Sequence, residues 1–480
     1  MASLRAQLCI YLLISALPTA TLAAPTLTQL VLEFEGRPPV EVLEGRLPVP
    51  EVRGKPGTNT IEIGFRILKA APGVTGDPVF VFAGGPGGSY NQTMDEGGLG
   101  YYGPVTPELF ARTGDVVLMD LRGVYLSKPN LICDGAPFAL RSVKTEADFL
   151  ALTRDAASAC RKKFTAAGID LEGYTILEAA QDVVDLADAL GYDSFSVYGA
   201  SFGSFYAITL AKYHPERISR LMVSAVESLD DTIDDYAAVL ERVRKISELA
   251  APVWQNAHNA AGPLEAFESL YAQLSTNPDA AGGLTDFELS FALLQGLNYG
   301  LSSREGMVNW PSEMSALADG DAFVRKLARW ALPFLIGRGN RPGVAGPFDC
   351  ATQVSPARRA YLDGTTPAVF RPYVTQFDAG CDSWDVPELP LSYFEPFESE
   401  IPAWIFHGDI DTSTPMVNAE RALSLFPKAS LTVIEGGSHG SFWEAATQID
   451  GFDDAVVDWM QTGKRPPASV SLPALEFSPL

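Results

Sequence analysis

The chain has 480 residues, a formal net charge of −24, 47% hydrophobic residues and 20% charged ones. That length buries a sizeable core and exceeds a minimal domain, so one large domain with an insertion, or two domains, is expected. The acidic excess excludes a nucleic-acid partner, because phosphate binding depends on Lys and Arg, and otherwise favours solubility and cationic ligands.

Residues 1–23 read as a secretory signal peptide: Arg5, an apolar stretch from Leu8 to Leu17, then small residues ending at Ala23 and Ala24. The apolar run is too short for a comfortable membrane span, and no later stretch is long enough to make one. The mature chain is therefore expected to be soluble and exported, either periplasmic or secreted. Removing Cys9 with the signal leaves Cys133, Cys160, Cys350 and Cys381. An even count in an exported chain reads as two disulfides with three possible pairings, the sequence-local one being favoured over buried free thiols. No Cys or His spacing suggests a metal site, no cofactor is implied, and nothing sets an oligomeric state.

Residues 24–227 read as the first part of an α/β core. Pro25 to Ala70 alternates in strand fashion, most clearly over Thr60–Leu68, so antiparallel strands open the sheet. Val79-Phe80-Val81-Phe82 is a continuous apolar run, as expected of a strand buried on both faces, and it discharges into Ala83-Gly84-Gly85-Pro86-Gly87-Gly88-Ser89. That loop is either a flexible turn or a backbone N–H donor at the mouth of a site; it lacks the Lys and Ser/Thr of a phosphate loop. Val116–Met119 is a second buried strand, followed by Asp120 and Arg122, which read as a structural pair fixing the loop. A helix opens at Thr175 with a Thr175/Glu178 capping box and stops at Gly191.

Val197 to Gly203 then joins a strand to a helix through Gly199-Ala200-Ser201-Phe202-Gly203. The glycines leave room for a sharp reversal that exposes Ser201 at the carboxyl edge of a sheet, the arrangement of a nucleophile elbow. Another buried strand starts at Ile218. Strand alternating with helix implies a mostly parallel sheet with helices on both faces. From 228 to 400 the pattern turns to amphipathic helix, including the apolar block Trp330–Ile336, and reads as a cap inserted over the site.

The core resumes over 401–463. The strand at Ala403–His407 leads into Gly408-Asp409-Ile410-Asp411, with Thr414 and Pro415 reading as N-cap and first residue of the next helix. A last strand, Leu431–Ile434, leads to His439. Residues 464–480 read as an irregular tail. Ser201, Asp411 and His439 thus leave one sheet edge in the order Ser, Asp, His expected of an α/β-hydrolase. Chemistry needs these types: His439 takes the serine proton and returns it to the leaving group, while Asp411 holds the imidazole. Asp409 is an alternative to Asp411. The backbone N–H groups of Phe202 and Gly85 are the expected oxyanion donors, since Pro86 has none. His214, His258 and His407 read as structural. Serine at the elbow excludes haloalkane dehalogenase and epoxide hydrolase chemistry, which needs a carboxylate nucleophile.

The Gly84–Gly87 loop, Asp120-x-Arg122-Gly123, Gly199-x-Ser201-Phe202-Gly203 and Gly408-x-x-Asp411-x-x-Thr414-Pro415 followed by His439 resemble the proline iminopeptidase and tripeptidyl aminopeptidase branch of the α/β-hydrolases. The exported tripeptidyl aminopeptidase-like members are the most similar, through Trp310-Pro311, Ala316-Leu317, Gly320-Asp321, Asp349-Cys350 and Cys381-x-x-Trp384. Departures are Ala83, where proline iminopeptidases usually carry His, and Tyr125, where Gly is common. The resemblance implies a serine-type aminopeptidase that releases N-terminal residues, proline-containing or tripeptide. Such an enzyme needs a carboxylate for the substrate's α-ammonium and a cap that closes the site. Glu227 is the first candidate for that carboxylate, with Asp230, Asp231, Asp234 and Asp235 behind it, unless that acidic run is a solvated helix face. An esterase or amidase acting on small non-peptide substrates is the alternative, because fold and triad do not fix the acyl group.

Overall fold

Alternation along the second strand buries Val40 and Val42 on one face of the sheet and Leu47 and Val49 on the other, while Glu41, Arg46 and Pro48 are exposed. The computed structural model describes residues 24–100, 102–133, 145–256, 261–276, 287, 300–318 and 343–480. Residues 1–23, His258, Gly320, Asp321 and the Trp330–Ile336 block lie outside the described residues.

Strands β1 (Thr28–Leu32), β2 (Val40–Pro50) and β3 (Thr60–Leu68) pair antiparallel in sequence order. The wholly apolar β4 (Val79–Phe82) and β5 (Val116–Met119) are buried along their length, and helices α1 (Tyr90–Asp95) and α2 (Val105–Ala111) join them. Next come α3 (Glu146–Ala166), α4 (Ile176–Leu190), β6 (Phe195–Ser201), α5 (Phe202–Tyr213) and β7 (Ile218–Val226). The chain then leaves the sheet for α6 (Tyr236–Gln255), α7 (Pro263–Thr276), α8 (Arg304–Ala318), α9 (Ala345–Thr352), α10 (Pro356–Thr365) and α11 (Arg371–Trp384). It returns with β8 (Ala403–Gly408), α12 (Met416–Leu423), β9 (Ser430–Glu435), α13 (Ser441–Gln448), α14 (Phe452–Thr462) and β10 (Ser469–Ser471).

The ten strands form one sheet in the order β1-β2-β3-β5-β4-β6-β7-β8-β9-β10. β3 meets β5 antiparallel, and every later neighbour is parallel. Successive side chains of a strand point to opposite faces, which gives the sheet a core on each side. Phe80, Phe82, Val197, Val223 and Ile405 pack with α4 and α5 on one face. Val79, Val81, Tyr198, Met222, Trp404 and Phe406 pack with α2, α13 and α14 on the other. The inserted helices bury a cluster of their own around Tyr236, Val239, Val243, Met307, Trp310 and Phe370, which reaches the sheet edge through Ile410. Among the described residues no helix is long and apolar enough to cross a membrane.

Disulfides join Cys133 to Cys160 and Cys350 to Cys381, the sequence-local pairing. Several local expectations need correction. The tail is not irregular throughout: β10 adds a parallel edge strand to β9, because the backbone there finds the free edge of Val433–Glu435. Helix α3 joins the core through Ala156, Ala157, Cys160 and Phe164 and also packs against the inserted helix α11, with Phe164 stacked on Trp384 and Thr375 Oγ1 donating to Glu146. Asp120 and Arg122 do not pair with each other. Arg122 donates to both oxygens of Asp182, whereas Asp120 accepts from Ser89 Oγ at 2.6 Å and from the Leu126 N–H at 3.0 Å. At Thr175 only half of the capping box forms. Thr175 Oγ1 accepts the Glu178 N–H, but the Glu178 carboxylate accepts the backbone N–H of Arg53 on Oε1 and its guanidinium on Oε2, so neither oxygen turns back to the Thr175 amide. Tyr125 adopts φ +37°, a backbone that favours glycine, and its hydroxyl is tied to Asp95. Asn91, which opens the glycosylation triplet Asn91-Gln92-Thr93, is fully buried and donates to Leu118 O, so the folded chain offers no acceptor there.

Candidate active site

Ser201 ends β6 and starts α5 with φ +56° and ψ −132°, a conformation rare for any residue with a side chain. The turn closes only because Gly199 and Gly203 have no Cβ: one built on Gly199 collides with Gly203 O, and one on Gly203 with Phe82 O. The parallel register sets Ser201 opposite Val226, so Glu227, the next residue, arrives beside the serine. Ser201 Oγ donates to Glu227 Oε1 at 3.1 Å. Ser204 Oγ donates to Ser201 O at 2.6 Å and accepts the Glu227 N–H at 2.8 Å, locking the end of β7 to the turn.

Asp411 follows β8 and is fully buried, with 0% of its side chain exposed. Its Oδ1 accepts the N–H groups of Ser413 and Thr414, at 2.8 and 3.0 Å, and its Oδ2 accepts from Thr414 Oγ1 at 2.7 Å. Thr414 is therefore not the helix cap expected from sequence. Pro415 occupies the N-cap of α12, and the Thr414 hydroxyl serves Asp411 instead. His439, after β9, places Nδ1 3.0 Å from Asp411 Oδ2. Burial favours neutral Asp411, but the charge and hydrogen bond of His439 outweigh it and hold the carboxyl down at about 2. Burial likewise disfavours the His439 imidazolium, yet Asp411, with Glu227 and Asp234 behind it, raises the imidazole above its ordinary range.

Asp409 is committed elsewhere: it accepts the Gly436 N–H at 2.7 Å and pairs with Lys245 of α6. His407 is fully buried, accepts the Val226 N–H on Nδ1 and meets Thr414 O through Nε2 at 2.6 Å, which fixes the neutral tautomer with its proton on Nε2. Burial also lowers the His214 imidazole, away from the serine at the end of α5.

The glycine loop after β4 packs its Gly84 against Ser201: a Cβ on Gly84 would lie 2.9 Å from Ser201 Cβ. The Gly84 N–H donates to the Tyr102 hydroxyl at 2.8 Å, and the Gly85 N–H meets no acceptor among the described residues. Gly85, Ser201, Phe202, Glu227 and His439 all line one cavity of about 560 Å³. The rest of its wall comes largely from α3 and the inserted segment, including Asp234, Asp349, Tyr373 and Phe377, with Tyr102 and Ser413 from core loops.

Four of the lining residues are acids, Glu227, Asp231, Asp234 and Asp349, and Asp231 is already paired with arginines. Burial, then the neighbouring Asp234, pushes Glu227 up to about 8. Burial and Asp234 push Asp349 up to about 8 as well. Burial raises Asp234 to about 7 against the pull of His439. Neither Asp234 nor Asp349 has a hydrogen-bond donor among the described residues. The other acids of that run have structural duties. Asp230 accepts from Ser355, Asp231 pairs with Arg421 and Arg358, and Asp235 caps α6 and pairs with Arg358. Asp231 and Asp235 are buried, so the run is not a solvated helix face. Sequence reading did not single out Asp349 as an anchor; its one visible signal was its place beside Cys350, whose disulfide to Cys381 ties α9 to α11 in the cavity wall.

Raised carboxyls favour the folded state while protonated there. Their stabilising contribution is complete below the ordinary carboxylate range and is lost as pH rises toward 7 to 8. Asp411 acts in the opposite sense, since its contribution persists above pH 4 and disappears only as pH falls toward 2. Asp349→Asn is therefore expected to raise the melting temperature at pH 8 and to change it little at pH 5. Thermal melts at the two pH values check this, and an equal shift at both would contradict it.

Residues 77–258 match a family model described as alpha/beta hydrolase fold, and residues 366–471 match one described as TAP-like protein. Similar solved structures include an epoxide hydrolase from an endophytic Streptomyces, at 16% identity and TM-score 0.37, covering 89% of this chain and 98% of that one. They also include a proline iminopeptidase-related protein from Thermus thermophilus, at 15% identity and TM-score 0.37, covering 88% and 99%. A third is a hydrolase from Pseudomonas aeruginosa, at 15% identity and TM-score 0.37, covering 86% and 98%.

Proposed function

We propose that this chain, which has an α/β-hydrolase fold, is an exported serine peptidase that removes residues from the free amino end of peptides. Ser201 is the nucleophile, His439 the general base and then acid, and Asp411 the group that orients and charges the imidazole. The Ser201 oxygen adds to the scissile carbonyl as its proton passes to His439. The resulting oxyanion is held by the N–H groups of Phe202 and Gly85, and His439 returns the proton to the departing amine. Water then repeats the sequence on the acyl-enzyme.

The observation that carries the peptide reading is the trio Glu227, Asp234 and Asp349 in the wall of the cavity that holds Ser201. Burial disfavours the charged forms of all three, Asp234 and Asp349 have no donor among the described residues and Glu227 has one neutral hydroxyl, so an α-ammonium supplies both the countercharge and three N–H donors. A neutral acyl group gains nothing from them, so no observation favours the esterase alternative. The match of residues 366–471 to the model described as TAP-like protein supports the same reading. Export is supported by the two disulfides, which persist in oxidising compartments.

The double variant Asp234→Asn, Asp349→Asn tests the anchor. Removing two charge-assisted contacts is expected to lower kcat/KM on a tripeptide reporter with a free amine by on the order of 10²-fold, while a simple phenyl ester reacts nearly as before. An equal loss on both substrates would show that the two acids shape the site without binding an ammonium.

A further inference from the structure

Ser201 Oγ donates its hydrogen bond to Glu227 Oε1, and among the described residues it makes none to His439. A hydroxyl has one proton, so while it serves Glu227 it is not aligned for transfer to the imidazole. Glu227 is held to this task. Its backbone N–H is fixed by Ser204 Oγ, and Ser201 Oγ is its carboxyl's hydrogen-bond donor among the described residues. The contact lies at the cavity that also holds Asp234 and Asp349.

We propose that Glu227 is a latch on the nucleophile, and that the substrate's own ammonium opens it by taking the Glu227 carboxylate and releasing the Ser201 hydroxyl to His439. This rests on the reading of the cavity as an amino-terminus site. An ammonium brings full charge and three donors to a carboxylate, and outcompetes one neutral hydroxyl for the same oxygen. Its arrival also eases the crowding of Glu227, Asp234 and Asp349, which then share one positive charge and its three N–H donors. The latch makes the free amine a condition of turnover as well as of binding. A blocked amino end loses its contact with the acids and, in addition, leaves the nucleophile turned away from its base.

The test uses the whole protein and a neutral alkyl fluorophosphonate, which reports on Ser201 without carrying an amine. In that reaction the Oγ–P bond forms, fluoride leaves and the hydroxyl proton passes to His439. Adding n-propylammonium chloride at constant ionic strength is expected to accelerate labelling on the order of tenfold, the worth of one charge-assisted hydrogen bond. Glu227→Ala is expected to label at the accelerated rate without the amine and to ignore it. Labelling of the wild-type chain that the amine leaves unchanged or slows overturns the latch while leaving the serine-hydrolase reading in place. Absence of labelling in the wild type with and without amine, and in Glu227→Ala, overturns both. The wild-type arm decides by itself, so a variant that fails to fold does not shelter the proposal.

Discussion

Changing Asp411 to Asn is expected to lower kcat by about 10⁴-fold while the protein stays folded. The reason lies in how the carboxylate is filled. Oδ1 accepts two backbone N–H groups, from Ser413 and Thr414, and these cannot turn into acceptors. An asparagine must therefore keep its carbonyl oxygen there and place its NH₂ where Oδ2 now faces Thr414 Oγ1 and His439 Nδ1. A donor opposite Nδ1 forces the imidazole into the tautomer with its proton on Nε2, and that tautomer has no lone pair left to accept the serine proton. Thr414 Oγ1 can rotate to accept, so the fold survives and the damage is confined to chemistry. Steady-state kinetics beside a thermal melt checks this. A variant that keeps more than a tenth of the wild-type kcat would remove Asp411 from the proposed mechanism.

Loss of Arg122 is the second large effect, and it falls on stability. The guanidinium is fully buried and donates to both oxygens of Asp182 at 2.8 and 2.7 Å, to Glu51 O at 2.7 Å and to Gly173 O. Arg122→Leu leaves two backbone carbonyls without their donor and halves the cations on Asp182, which keeps Arg53 at 2.6 Å. Breaking a buried pair by removing one partner costs about 3–5 kcal/mol, and the surviving Arg53 contact places this case near the lower end. Arg122→Lys should rescue little, because an ammonium does not reproduce the planar fork that reaches Asp182 and both carbonyls. Urea unfolding curves decide it: a loss below about 1 kcal/mol would mean that the network is dispensable.

What the sequence made legible follows from which information is local. The apolar runs Val79–Phe82 and Val116–Met119 are buried strands because a parallel strand covered on both faces has no polar side to display. Ser201, Asp411 and His439 could be proposed together because each follows a strand, and parallel strands deliver their following loops to one edge of the sheet. Pairing order was not local. Nothing near Val116 says that β5 sits between β3 and β4. The choice between Asp409 and Asp411 also lay beyond spacing: two acids two residues apart were separated by the Gly436 amide and by Lys245 of a distant helix. Arg122 was expected to pair with its near neighbour Asp120, and found Asp182 instead through the packing of α4 on the sheet. Asp349 was illegible as a site residue because its place in the cavity that Ser201 lines depends on an inserted helix far along the chain. Glu227 was singled out as an ammonium partner, but its contact with the nucleophile needed the β6–β7 register, which sets Val226 against Ser201.

The central claim is that a carboxylate-lined cavity beside Ser201 selects a free peptide amine. It is tested most directly with a tripeptide amide reporter and its N-acetylated twin, the same molecule but for the charge, with Ser201→Ala as blank. The account predicts rapid release from the free amine, a loss of at least about 10²-fold on acetylation, and no release from either by the blank. Equal cleavage of both reporters, or cleavage of neither by a protein that still hydrolyses a phenyl ester, would contradict it.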